Sequence, residues 1–122
     1  MAVPRITKEE LKTRLEDGGI PPIILDARLK YPYEHSTVML PGAVRVNRDD
    51  PSTGLSTDRD VVAYDSDPEE LVSAPVAAAL IRKGYRAQAL QGGLAEWITA
   101  KFPTDGKDAP KQAPPKAGDL KG

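Results

Sequence analysis

The sequence predicts an α/β domain with a mainly parallel sheet, because short apolar runs alternate with segments of helical spacing. The apolar runs that suit strands are residues 23–27, 43–46, 60–64 and 86–90. The segments that suit helices are residues 8–17, 73–83 and 94–101. In parallel sheets, helices connect the strands and ligands bind beyond the strands' carboxyl ends. We therefore expect a functional site where these apolar runs end.

Local signals indicate where the helices begin and end. Thr7 and Glu10 have the spacing of a capping box, in which a hydroxyl and a carboxylate satisfy free amides at a helix start. Pro75 is compatible only with the first turn of the second helix, and Gly84 predicts the end of that helix. Trp97 on the last helix is expected to pack in the core.

The remaining segments are less regular. Residues 31–39 should be irregular because Pro32 precludes a long helix. In the short run at 43–46, alternation predicts that Val44 and Val46 both point inward.

Residues 104–122 contain no aromatic residue and three prolines, so we expect a flexible tail after a domain that spans residues 1–103.

Charge and length limit the class of protein. The 122 residues suit one domain, and 17 Lys and Arg against 18 Asp and Glu argue against nucleic acid or an anionic membrane as the main partner. No apolar run approaches a membrane span, and no basic-then-apolar leader is present. The expectation is a soluble monomer, cytoplasmic by default.

The chain contains no cysteine and a single histidine, His35. A thiol nucleophile, a thiolate zinc site and a multi-histidine metal site are therefore excluded. His35 follows prolines in a polar segment and is expected at the surface. We predict neither a cofactor nor a metal ion.

Six motifs occur in the order of a known family, and Phe102 and Pro103 follow them. The motifs are T-K-E-E-L at 7–11, I-I-L-D-A-R at 23–28, L-P-G-A-V at 40–44, V-V-A-Y at 61–64, R-K-G-Y at 82–85 and L-Q-G-G-L-A-E-W at 90–97. Residues 6–103 thus resemble a single rhodanese-like domain. The resemblance implies a mainly parallel five-stranded sheet flanked by helices on both faces. Active members of this family carry sulfur as a persulfide on a cysteine in the loop after the V-V-x-Y strand, where backbone amides and a helix N-terminus hold it.

This sequence departs from the family at that cysteine. Aligning Pro68, residues 73–74 and residues 76–77 with bacterial relatives places Asp67 at the nucleophile position, with Asp65 as the second choice. A carboxylate cannot carry sulfane sulfur, so the resemblance implies a member without sulfur transfer. The candidate cleft loop comprises Asp65, Ser66, Asp67, Pro68, Glu69, Glu70, Leu71, Val72 and Ser73.

The acids of this loop have two interpretations. Carboxylates before a helix commonly meet the positive end of its dipole and cap free amides without further function. Alternatively, one carboxylate occupies the amides that would otherwise hold a persulfide, as a built-in anion. Asp26 and Arg28 match the family's D-x-R element, which braces the active-site region in relatives. Tyr31, Tyr33 and Tyr64 are expected at the rim of the cleft.

Two functional hypotheses follow. The first is a catalytically inactive rhodanese-like module that binds an unknown protein or small ligand through the altered cleft. The second is a carboxylate-based or metal-assisted hydrolase or phosphatase that uses Asp67 or Asp65, although the sequence offers no matching lysine for a phosphate. A structural Ca²⁺ or Mg²⁺ site in the acidic loop is a weaker third interpretation.

Overall fold

Five parallel strands form the central sheet in the computed structural model, which describes residues 3–46, 55, 57–66 and 72–106. The strands, in chain order, are β1 (Arg5–Ile6), β2 (Ile23–Asp26), β3 (Val38–Met39), β4 (Val44–Arg45), β5 (Asp60–Tyr64), β6 (Arg86–Leu90) and β7 (Asp105–Gly106). The order in the central sheet is β1-β6-β5-β2-β4. Strands β3 and β7 form a separate antiparallel pair.

Four helices accompany the strands: α1 (Lys8–Glu16), α2 (Lys30–His35), α3 (Ser73–Arg82) and α4 (Gly93–Thr99). Leu11 of α1 and Trp97 of α4 belong to one buried cluster, on the face of the sheet that also carries Val62. Ala77 and Leu80 of α3 belong to a second cluster on the opposite face. Helices therefore cover both faces, which confirms the predicted fold class.

The strands β2 and β5 are apolar on both faces because each is central in the sheet. Along β5, Val61 and Ala63 join the α3 cluster, whereas Val62 and Tyr64 join the other. In register, Asp26 at the end of β2 lies beside Tyr64 at the end of β5. The two central strands thus end side by side, and the residues that follow them come together.

The predicted helix signals are confirmed. Thr7 and Glu10 form a complete capping box at the start of α1. Pro75 lies in the first turn of α3, where backbone N–H groups have no acceptor within the helix, so the absence of an N–H in proline removes no helical hydrogen bond. Gly84 follows α3 with a φ of +96°, and Trp97 is fully buried.

Residues 31–39, expected to be irregular, contain the short helix α2 and the strand β3. Pro32 is the third residue of α2, so it occupies the first turn and breaks no hydrogen bond inside the helix. The proline limits the length of the helix but does not prevent it.

The prediction that Val44 points inward is wrong. Val44 is 53% exposed, whereas Val46 is buried. Strand β4 has only two residues and lies at the sheet edge, so the alternation that relates 44 to 46 does not extend through it. Strand β1, which no pattern indicated, supplies the fifth strand of the sheet by pairing with β6.

Strand β7 lies at 105–106, just beyond the boundary predicted at residue 103, and pairs with β3. The division into a domain at 1–103 and a tail at 104–122 stays a prediction, because residues 107–122 lie outside the described residues. Over the part of the chain that the structure covers, no helix has the length and apolar character needed to cross a bilayer.

Candidate functional site

The site is built where β2 and β5 end. The backbone N–H of Ala27 donates to the carbonyl of Tyr64 at 3.0 Å, so the two strands stay paired up to their last residues. Beyond this point Asp26 and Arg28 follow one strand and Asp65 follows the other. Each strand therefore delivers an acid to the carboxyl edge, but the two acids have different partners.

Asp26, Arg28 and Tyr64 form a buried group that we call the brace. Arg28 Nη2 donates to Asp26 Oδ2 at 2.7 Å, and Arg28 Nε donates to Asp26 Oδ1 at 3.0 Å. The Tyr64 hydroxyl donates to Asp26 Oδ2 at 2.9 Å. The residues Asp26 and Arg28 are 0% and 1% exposed, so this is a two-pronged ion pair almost removed from water.

Two further groups extend the brace. Arg45 donates through Nη1 to the carbonyls of Asp26 and Arg28, and its guanidinium lies 4.1 Å from the ring centre of Tyr33. The same tyrosine ring lies 5.3 Å from the guanidinium carbon of Arg28. Two cations thus lie against one aromatic ring, and Arg45 Nη1 also lies 3.6 Å from Asp26 Oδ1, so the surroundings of the Asp26 carboxylate are positive.

The brace shifts two ionisation equilibria. Burial alone would lower the pKa of the Arg28 guanidinium, but its hydrogen bonds to Asp26 and nearby negative charge outweigh burial and raise that pKa. Burial, followed by the charge of Asp26, raises the pKa of the Tyr64 phenol well above its ordinary value. The brace is therefore held with Arg28 charged and Tyr64 neutral.

Asp65 accepts hydrogen bonds from backbone amides, an arrangement that we call the cradle. Its Oδ2 accepts from Val72 N at 2.7 Å and from Ser73 N at 3.0 Å, and its Oδ1 accepts from Ser66 N at 3.2 Å. Asp65 is 5% exposed. Both carboxylate oxygens thus have donors, and the carboxylate sits at the N-terminus of α3.

The local sequence explains why Asp65 takes this place. The N-cap residue of α3 is Val72, whose side chain has no acceptor and makes no cap hydrogen bond. The first amides of α3 therefore need an acceptor from elsewhere. Asp65 supplies it from the end of β5, seven residues earlier in the chain.

A second helix holds the backbone of the same loop. Leu94 N donates to the Asp65 carbonyl at 2.8 Å, and Ala95 N donates to the Ser66 carbonyl at 3.0 Å. The turn before these amides needs glycine at Gly92, which has a φ of +87° and whose added Cβ would lie 2.7 Å from a side-chain atom of Glu96. Asp65 is thus held by α3 through its side chain and by α4 through its backbone.

Ser73 contributes an unusual feature to the cradle. It is fully buried as the first residue of α3, and among the described residues, which omit 67–71, its hydroxyl oxygen has no hydrogen-bond partner. Its backbone N–H is one of the two that meet Asp65 Oδ2. Leaving a buried hydroxyl without a hydrogen-bond partner is costly in free energy.

The structure places some of the predicted site residues and not others. Asp26, Arg28, Asp65, Ser66, Val72 and Ser73 lie together at the carboxyl edge. Asp67, Pro68, Glu69, Glu70 and Leu71 lie outside the described residues. The choice of Asp67 over Asp65 as the counterpart of the family nucleophile therefore stays a prediction.

Tyr64 was expected at the rim of the cleft, but it is completely buried beneath it. Arg45 was not assigned any role from the sequence. One signal in the sequence could have predicted that Tyr64 is buried: it is the last residue of an apolar strand, and that strand pairs with the one that ends at the D-x-R element. His35 is exposed, as predicted, and its Nδ1 lies 3.1 Å from the carbonyl of Tyr31.

Within the described ranges, which omit residues 67–71, no group of three or more His, Asp or Glu side chains could hold a metal ion. The acids at 67, 69 and 70 fall in that gap. The prediction of no metal ion consequently stays a prediction.

Solved structures provide the comparison with known proteins, whereas a search of curated protein sequences gives no match. The rhodanese-like domain of an Anabaena protein, solved in solution, is 28% identical, with a TM-score of 0.70 over 93% of this chain and 89% of that one. A rhodanese-like domain protein from Staphylococcus aureus is 25% identical, with a TM-score of 0.63 over 77% of this chain and 90% of that one. A Bacillus halodurans protein shares the fold at 21% identity, with a TM-score of 0.72 over 85% of this chain and 77% of that one.

The family model described as a rhodanese-like domain matches residues 7–100, which is most of the chain. The match begins at the capping residue Thr7 and ends at the residue after α4, so it includes both the brace and the cradle. Since the chain has no cysteine, the thiol that carries sulfur in active relatives is missing. This protein belongs to the rhodanese-like domain family and is a member without cysteine.

Proposed function

We propose that this chain is a non-catalytic rhodanese-like module that binds a protein or a small ligand through its altered cleft. The observation that carries the proposal is the Asp65 carboxylate, which accepts the amides of Val72 and Ser73 at the start of α3. An anion that belongs to the chain thus occupies the amides on which an external anion would depend. Without a thiol, no persulfide can form.

The environment of Asp65 also weighs against Asp65 as the nucleophile of the hydrolase hypothesis, which Asp67 could equally serve. Oδ1 and Oδ2 of Asp65 both accept amides and the residue is almost entirely buried, so little of the carboxylate is accessible to an incoming substrate. We therefore assign Asp65 a structural role and infer that any ligand meets the surface around it.

Activity assays test the absence of sulfur transfer. Purified protein should show no thiosulfate:cyanide sulfurtransferase activity and no sulfur that cyanide can remove. Turnover of either kind above a buffer blank would refute the proposal.

Thiosulfate binding tests the occupied cradle directly. Titration with thiosulfate should leave the amide resonances of Val72 and Ser73 unchanged in the natural chain. The same titration on Asp65→Ala should shift both resonances, because the amides become available to an external anion. Equal shifts in both proteins would show that Asp65 does not occupy the cradle.

A cysteine scan distinguishes Asp65 from Asp67. We expect the thiol of Asp65→Cys to have a pKa below about 7.5, since helix N-terminal amides stabilise a thiolate relative to the ordinary value near 8.5. Asp67→Cys is the matched variant and should remain near the ordinary value. Alkylation rates measured against pH give both values, and a lower pKa in Asp67→Cys than in Asp65→Cys would favour Asp67, the position that the sequence comparison preferred, over Asp65.

A further inference from the structure

The chain that follows α4 forms a segment that we call the strap, residues 102–106. At its start, the ring of Phe102 packs edge-on against Trp97 with 5.1 Å between ring centres. Trp97 Nε1 donates to the carbonyl of Pro103 at 2.7 Å, and Lys12 Nζ lies 5.4 Å from the centre of the Phe102 ring. The strap is thereby anchored on α4 and α1.

At its other end the strap holds residues 38–42. Strand β7 pairs with Val38 and Met39, and Asp105 Oδ2 accepts the backbone N–H of Gly42 at 2.9 Å. This pair is separate from the central sheet and has two residues in each strand. An isolated ribbon of that size is marginal in stability by itself, so its position depends on what flanks it.

The brace flanks the same residues on their other side. Arg28 Nη2 donates to the carbonyl of Val38 at 3.1 Å, and Leu40 N donates to the Tyr64 hydroxyl at 3.4 Å. Segment 38–42 therefore has the strap as one neighbour and the brace as the other. Tyr64 directly precedes Asp65, so the connection continues by one peptide bond to the cradle.

We propose that the strap is a detachable element whose docking is coupled to the order of the brace. The Val38 carbonyl accepts from Arg28, and the Leu40 amide donates to Tyr64. When the strap leaves segment 38–42, these two groups are held in place by the brace alone. Local opening of this kind affects small, weakly supported units before the central sheet. The coupling is reciprocal, so weakening the brace also loosens the strap.

Hydrogen exchange on the full chain tests this coupling. In Asp105→Ala, we expect the amide of Leu40 and the Nε–H of Arg28 to exchange at least about tenfold faster, although the hydrogen bond that the substitution removes is the one from Gly42. The amide of Val62 in β5 should keep its natural rate. Asp105→Asn retains an acceptor oxygen and should return the Leu40 and Arg28 rates to near the natural values.

Thr104→Ala provides the matched control within the strap and should change none of these rates. Conversely, Tyr64→Phe should accelerate exchange at Gly42, whose partner is Asp105 and not Tyr64. The proposal is overturned if Asp105→Ala accelerates only Gly42, because the strap is then an uncoupled local contact. Equal acceleration of Val62 and Leu40 also overturns it, because opening would then be global.

Discussion

Two aspartates end up buried at the same edge of the sheet, but they are stabilised in different ways. Asp26 in the brace is met by a guanidinium and a phenol, whereas Asp65 in the cradle is met by three backbone amides. Both residues are at most 5% exposed. Burial of a carboxylate is costly unless its oxygens are satisfied, and each site satisfies them from a different source.

The difference determines what each site depends on. The brace requires specific side chains, so one substitution leaves a buried charge without its partner. The cradle requires only the start of a helix, whose amides exist for almost any sequence of α3. The donors of the cradle therefore do not depend on particular side chains, whereas the brace needs Asp26 and Arg28 together.

Breaking the brace should have the largest effect. Arg28→Met removes the guanidinium from a pair that is almost fully buried, so we expect a loss of about 3–5 kcal/mol in the free energy of unfolding. Urea unfolding measures this loss. Arg86→Met is the control, since its ion pair with Asp60 is largely exposed and should contribute less than about 1 kcal/mol. Similar losses of unfolding free energy in Arg28→Met and Arg86→Met would contradict the expectation that the buried ion pair contributes more than the exposed one.

Emptying the cradle should have an intermediate effect. Asp65→Ala leaves the amides of Val72 and Ser73 without an acceptor, and we expect a loss of about 1–3 kcal/mol in the free energy of unfolding. Asp65→Asn keeps one acceptor oxygen and should lose less than Asp65→Ala. If the alanine variant is as stable as the natural chain, the amides have another partner.

The smallest effect is expected at Tyr64, and it depends on pH. Tyr64→Phe removes two hydrogen bonds and should cost about 1–2 kcal/mol near neutral pH. Because the pKa of Tyr64 is raised in the folded state, its neutral form contributes stability that is complete below the ordinary value of 10.0 and is lost as pH rises above it. The donors of the cradle are backbone amides, which do not ionise in this pH range, so the cradle should not lose stability in the same way at alkaline pH.

Alkaline titration of the phenols measures this difference. Before the alkaline unfolding transition, the natural chain and Tyr64→Phe should show the same phenolate absorbance. The natural chain should gain one further phenolate only on unfolding. An extra phenolate in the folded natural chain would show that Tyr64 is accessible to base.

The sequence predicted the fold to the extent that local patterns controlled it. The runs at 60–64 and 86–90 became strands with those same limits, and Thr7 and Glu10 formed their capping box, because each depends on neighbours in the chain. Strand β1 was missed since two residues have no detectable period. Val44 was misplaced because an edge strand of two residues does not alternate reliably.

The site divides in the same manner. The pairing of Asp26 with Arg28 spans two residues and could be anticipated from the D-x-R element. The hydroxyl of Tyr64 reaches Asp26 across 38 positions of the chain, and Arg45 reaches the Arg28 carbonyl across 17, so no local pattern indicated either contact. Their partners were set by the register between strands.

The sequence by itself determined that this chain has no thiol on which a persulfide could form, because side-chain chemistry is a property of composition. It also determined most helices and central strands, since capping and apolar periodicity act over a few residues. Only the tertiary structure decided that Asp65 meets the amides of α3 and that the strap reaches segment 38–42. Those contacts join residues that are distant in the chain, and their geometry exists only after the sheet and helices have packed.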